Sequence, residues 1–465
     1  MGKFNTTQKG TTYFLPKKLM LSQTPMIILG VIILSCWLSA CDLLPGSETP
    51  TPQSSTPESE RTQPDTESSP DIVSTPNFDL PEPTLSPQPR LNIWLPPEIA
   101  SRTEAGSVIF SDQLLAFNNT NPDLIITVEQ KTVSGQGGLL NYLRTGQTVA
   151  PSILPDLIAL PVQQIKTVSD EGLIFPLEDV LDPASLENLY PVAQAWSTHN
   201  NHIFAYPFAI TELPLLEYSS SITETPPIQW QTFITNMERT LVLPAAGSPG
   251  AKLALQFYLQ AGGTLENEAG QDALELEPLT FALQQIYTAR QNGFILPQSS
   301  NLRNIGEGRI LVQNGTADYA LSASDEFLKG RTEDGLFSFV AIPGSDESPT
   351  PLVSGWGWVI TTSDPTKKAI AADLITTLSE PENLGDWSLN SKILPANPLA
   401  FAQWPSEDTF TAFAHQALLR ANTIPFTNNN TIMRVLEDAV FDVVSLSKTA
   451  EEAAAFAVSA LQPDS

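Results

Sequence analysis

Basic residues are scarce in this chain. Lys and Arg total 23 against 51 Asp and Glu in 465 residues, for a formal net charge of −28. That balance excludes nucleic acid as a partner, because neutralising phosphates needs clustered Lys or Arg and no cluster is present. Cysteine is scarcer, with only Cys36 and Cys41. A disulfide framework and a thiolate metal site are excluded on that count. The three histidines include His199 and His202 in "STHNNHIF", but no carboxylate or cysteine cluster accompanies them, so the stretch reads as a polar turn rather than a metal site. A G-x-S-x-G nucleophile elbow and a G-x-x-x-x-G-K-[ST] phosphate loop are both missing. "SGQGGLL" (Ser134–Leu140) lacks the third glycine of a dinucleotide loop and reads as a glycine-rich helix entry whose backbone N–H groups are free to meet a ligand. No cofactor is implied. The longest apolar run, Met26 to Ala40, is about 15 residues, short of the roughly 20 that cross a bilayer.

What that run does have is a setting. Lys3, Lys9, Lys17 and Lys18 precede it without an acidic residue, and Ser39 and Ala40 close it, as in a secretion signal. Leu38-Ser39-Ala40-Cys41 resembles the bacterial lipobox. The resemblance implies cleavage before Cys41 and lipid on its sulfur, so that the chain is tethered to a membrane rather than embedded in it. Cys36 then leaves with the signal, and no cysteine nucleophile remains. From Asp42 to Arg90, eleven prolines fall among 49 residues rich in Ser, Thr and Glu. Such a composition buries too little apolar surface to offset ordering entropy. It reads as a stalk, spanning roughly 40 Å as a coil and roughly 150 Å if fully extended.

Leu91 to Ser465 is long enough for about two lobes. "LNIWL", "LIITVEQ" and "DLIALP" read as strands separated by the helical "SVIFSDQLLAFNNTNPD" and "GGLLNYLRTG". "VQQIKTVSDEG" has helical spacing and a glycine stop. This alternation predicts α/β units around a mostly parallel sheet. After "FAYPFAI" come helices, then the strand-like "ADYALSAS", "FSFVAIPG" and "GWGWVIT". "DPTKKAIAADLITTLSEPENLGDWSLN" reads as one helix, and the tail "TIMRVLEDAVFDVVSLSKTAEEAAAFAVSALQ" as helical throughout.

The order of these motifs resembles the extracellular solute-binding proteins of bacterial ABC importers, family 1, the maltose- and sugar-binding type. "LNIWL" is similar to that family's opening strand. "LPDLIALPVQQIKTVSDEGLIFPLEDVL", "NNHIFAYPFAITELPLLEY", "TPPIQWQTF", "LQAGG" and "SKILPANPLA" follow in its order. His202 stands where the family has Gly, and Tyr218-Ser219 replaces Tyr-Asn. The resemblance implies a two-lobed, periplasmic-binding-protein-like (type II) α/β fold with an interlobe cleft. Lobe 1 is expected at 91–210 and 352–395, and lobe 2 at 211–351 and 396–465, behind a signal at 1–40 and a lipidated stalk at 41–90. Crossings are expected near Phe208–Pro214, Gly344–Gly355 and Pro395–Pro398. It implies a non-enzymatic receptor on the outer face of the cytoplasmic membrane. A small solute, a sugar or oligosaccharide, is its ligand, and the membrane subunits of an ABC permease are its partner. A secreted glycoside hydrolase, which needs paired carboxylates, and a stalked adhesin are the competing classes.

Aromatic faces stack on sugar rings. In "SGWGWVIT", Trp356 and Trp358 are two apart and share a strand face, with glycines leaving room for a ligand or another backbone. Tyr206 and Trp94 are further stacking candidates; Trp94 ends the opening strand, on the side where ligands bind in open α/β sheets. Glu212 is a candidate acceptor for sugar hydroxyls. Trp230, at a helix start, reads as core.

Overall fold

In the computed structural model the described residues are 88–149, 153–235, 238–331, 335–345, 348–425 and 430–462. The signal segment, Cys41 and the stalk up to residue 87 lie outside them. Three strands open the first sheet in parallel: β1 (Arg90–Leu95), β2 (Ile125–Gln130) and β3 (Leu157–Pro161). β3 is an unbroken apolar run buried at its first four positions, as a strand covered on both faces must be. The helix Glu104–Thr120 links β1 to β2; Thr103 caps it by accepting from the Gly106 N–H, and it stops at Asn121 before Pro122.

A two-residue hairpin, β4 (Thr198–His199) and β5 (His202–Ile203), precedes β6 (Tyr206–Thr211). β6 joins the first sheet, and after only Glu212 and Leu213 the chain enters a second sheet as β7 (Pro214–Ser219). β8 (Leu241–Val242), β9 (Tyr319–Ala323) and β10 (Phe337–Val340) complete that sheet in the order β10-β7-β9-β8. The chain returns through β11 (Leu352–Ile360), antiparallel to both β3 and β6. β12 (Leu394–Pro395) pairs with β6, giving the order β12-β6-β11-β3-β1-β2, and β13 (Asn422–Thr423) pairs with the first residues of β11.

Each sheet carries its own core. Leu91, Ile93, Leu160, Trp358 and Ile360 belong to the first, and Trp230, Phe233, Phe257, Ile286 and Leu436 to the second. This is a two-lobed α/β fold. Near the third expected crossing, the turn Pro398–Gln403 still packs on the helix Pro381–Ser391. Phe410, in the helix Thr409–Leu418, lies 5.0 Å from the ring of Phe327 and 5.3 Å from that of Phe339 in β10.

Two helices expected to be continuous are broken. The first divides into Pro365–Ser379 and Pro381–Ser391, because Pro381 forces Glu380 to an extended ψ of 138°. The second divides into Thr431–Ser445 and Ala450–Ala460 at Leu446, whose φ is +62°. Thr449 then restarts the helix through a capping box with Glu452. Among the described residues no helix is long and apolar enough to cross a membrane.

Candidate functional site

The carboxyl ends of β1, β2 and β3, the end of β6 and the start of β11 form one edge of the first sheet, and the crossings leave from it. Ligands in open α/β sheets bind at such an edge. A groove of about 870 Å³ opens here between elements of both lobes. Gln163, Lys166 and Asp170 line one wall, from the helix Val162–Asp170 that follows β3. Leu259, Glu266, Asp272 and Asn430 line the other. Gln163 is positioned by its Nε2, which donates to Ser354 Oγ of β11 at 2.7 Å. Asp170 Oδ1 lies 2.7 Å from His199 Nε2, and Glu171 takes both arms of Arg144 at 2.8 and 3.0 Å. Asn430 donates to Asp272 at 3.3 Å. Lys166 and Glu266 have no ion pair among the described residues. The lining thus sets polar side chains of mixed charge among the apolar Leu259, Leu265 and Pro425, and no aromatic ring is part of it.

A smaller pocket of about 100 Å³ lies at the crossings, lined by Glu212, Lys252, Gln256 and Leu352 among others. Lys252, Gln256 and Leu259 are spaced by four and three along the helix Ser248–Gln260, so one helix face serves both the pocket and the groove. Lys252 Nζ is 2.8 Å from Glu212 Oε1. Glu212 holds a left-handed φ of +63°, a conformation that costs an L-residue, and its N–H donates to Asp325 Oδ1 at 3.1 Å. Lys252 also faces Glu437. Burial pushes that carboxyl up and Asp438 adds to the push, while Lys252 pulls it down.

The other candidates divide. Trp356 is half-buried against the first core. Trp358 is 3% exposed, with its ring stacked 4.6 Å from that of Phe208. Tyr206 is 5% exposed, and burial raises its phenol above the usual range. Trp94 is 4% exposed and meets Tyr142 edge to face at 5.8 Å. So Trp358, Tyr206 and Trp94 offer almost no free ring surface here. The glycines of "SGWGWVIT" make room for the protein itself: a Cβ on Gly355 would sit 2.5 Å from Trp196 and from Ala209 O, and one on Gly357 3.2 Å from Ala205.

At "SGQGGLL" the helix donors are already taken. Leu139 N–H donates to Thr132 O and Leu140 N–H to Val133 O, at 2.7 and 3.1 Å. His199 and His202 bond separate carboxylates, Asp170 and Glu178. Among the described residues no group of three or more His, Cys, Asp or Glu is placed to hold a metal. Lys252 was missed in the sequence because "AKLALQFYLQAGG" shows an apolar helix; only the isolation of its one charge marked it.

Residues 114–414 match the family described as bacterial extracellular solute-binding protein. No curated relative matches by sequence. Among solved structures, the cyclic alpha-maltosyl-1,6-maltose binding protein of Arthrobacter globiformis superposes with a TM-score of 0.64 at 16% identity, covering 80% of this chain and 97% of that one. The maltose-binding periplasmic protein MalE of Listeria monocytogenes, solved with maltose, gives 0.64 at 14%, covering 81% and 97%. The GacH receptor of Streptomyces glaucescens, solved unliganded and with acarbose, gives 0.60 at 15%, covering 80% and 97%. Family and structural neighbours are binding proteins, not enzymes.

Proposed function

The chain belongs to the bacterial extracellular solute-binding protein family, and we propose that it captures a carbohydrate between its two lobes and passes it to an ABC importer. The observation that carries this is the groove of about 870 Å³ beside the crossings, lined from both lobes by polar side chains of mixed charge as well as apolar ones. The sugar-binding neighbours of the same fold supply the ligand class. Gln163, Glu212 and Lys252 are the hydrogen-bonding groups in our reading, and half-buried Trp356 is the stacking ring. Trp358 and Tyr206 back the site from the core.

In this reading the first lobe is 91–210 with 352–418, since Ala396, Phe401, Phe410 and Leu418 belong to the first core, and the second is 211–351 with 424–462. They hinge at Glu212, at the approach to β11, and at β13, where the chain leaves the first core after Leu418 and joins the second at Ile424. Binding shifts the open–closed equilibrium by differential affinity, without a covalent step. Lipid on Cys41 and the stalk ahead of β1 would hold this trap on the outer face of the membrane, within reach of permease subunits.

The test is a thermal-shift and calorimetric screen of the chain lacking residues 1–80 against mono- and oligosaccharides. A ligand at about 100 times its Kd adds about 2.7 kcal/mol of stability, which is a readily measured rise in Tm. Steady release of shorter sugars, or no response across the panel, would end the proposal.

A further inference from the structure

The Trp94–Tyr142 ring pair stands outside the residues lining the groove and takes no part in the reading above. It lies on the same sheet edge: Trp94 is the fifth residue of β1, the strand next to β3, whose end leads into Gln163. Lys131, the first residue past β2, sets its Nζ 4.5 Å from the Trp94 ring centroid and 5.1 Å from that of Tyr142. The Lys131 main chain is pinned, since its N–H donates to Leu95 O at 3.0 Å, so its four-carbon arm is the part free to move. Glu129 Oε2 holds the tip of that arm at 2.9 Å, and the Glu129 side chain is 58% exposed. Trp94 is buried under this cover, whereas Tyr142 is 40% exposed.

A lysine that merely covers a ring for packing lays its stem on it and keeps the ammonium in water, whereas the Lys131 Nζ itself sits over the rings and gives up part of its hydration. Here the cover is a cation held by one exposed carboxylate and two ring faces, contacts that are weak near solvent. Its removal would uncover an indole face with a phenol as side wall and a carboxylate beside it, the chemistry that receives a sugar ring. We infer that Lys131 is a displaceable cap on a second stacking subsite: a sugar unit moves the ammonium aside, stacks on Trp94 and bonds its hydroxyls to Glu129. The inference rests on the carbohydrate reading and deepens it, because a ligand that reaches both Gln163 and Trp94 is an oligosaccharide.

The experiment is calorimetry on the full chain in detergent, with glucose, maltose and maltotriose as probes, for wild type, Lys131→Ala, Lys131→Arg and Lys131→Ala with Tyr142→Ala. Losing the cap should tighten the longer sugars by up to about tenfold, the combined weight of a cation–π contact and a surface ion pair. Glucose should be unaffected. Lys131→Arg keeps the cap and should match wild type, and adding Tyr142→Ala should cancel the gain. Unchanged or weaker oligosaccharide binding in Lys131→Ala overturns the cap while leaving the carbohydrate receptor standing. No binding of any probe by wild type or variants overturns both.

Discussion

Trp358→Ala separates a core tryptophan from a ligand platform. The indole is 3% exposed and lies between the ring of Phe208, 4.6 Å away at 20°, and that of Phe110, 6.4 Å away at 15°. Truncating a buried Phe or Trp to Ala costs about 3–5 kcal/mol, a range that already contains most of the roughly 0.5–1.5 kcal/mol carried by each good ring pair. Phe208 also leans on Trp387 at 5.6 Å, so the vacated space is walled by rings that collapse poorly. We therefore expect a loss of about 4 kcal/mol. With a urea slope of about 2–3 kcal/mol/M for the lobe that unfolds, its midpoint should fall by about 1.5 M. Two lobes need not unfold together, so the melt is followed by circular dichroism and by fluorescence, with Trp230 reporting from the second core. The affinity of the surviving folded fraction for its best sugar should stay within twofold. A stability loss under about 1 kcal/mol, coupled with a tenfold drop in affinity, would show that the ring serves the ligand and that its packing here has been misjudged.

Four further outcomes are expected. Trp356→Ala should weaken carbohydrate binding more than tenfold with a small stability change, measured by calorimetry and urea melts, because Trp356 is only half-buried. Lys252→Met should likewise lower affinity at least tenfold in the same titration, since it strips the pocket of its cation and leaves Glu212 without its 2.8 Å partner. Leu446→Gly should stabilise the fold by about 1 kcal/mol in thermal melts, as it relieves a left-handed φ of +62° at a helix end where the side chain is exposed. For Asp408, burial alone would raise the carboxyl, but the two-armed pair with Arg331 and the Phe410 N–H hold it below its ordinary range. A depressed folded pKa gives stability that is present above about pH 4 and lost as the pH falls through the folded value, so Asp408→Asn should flatten the acid limb of a pH–Tm profile.

How much of this was legible depended on the range over which each signal acts. Short apolar runs set β1, β3 and β11 correctly, because burial on two faces leaves its mark within five residues. The breaks at Pro381 and Thr449 were equally local: a proline after Glu380 and a Thr-x-x-Glu box both stood in the text and were outweighed by apolar spacing on either side. The site was a different matter. Trp94, Tyr206 and Trp358 were singled out for their rings, yet what decides a ring's role is the far side of its face. The partners Lys131, Phe208 and Phe110 stand 37, 150 and 248 positions away from Trp94, Trp358 and Trp358 respectively. Lys252 and Glu212 are 40 positions apart and meet only because β6 crosses straight into β7. Glycine was misleading for the same reason: the space left at Gly355 is filled by Trp196, a residue that no pattern around "SGWGWVIT" contains. A strand's address is written in its own residues, but an exposed face is a property of what the rest of the chain leaves uncovered. That is why the groove wall from Leu259 to Asp272 was invisible while the strands beside it were plain.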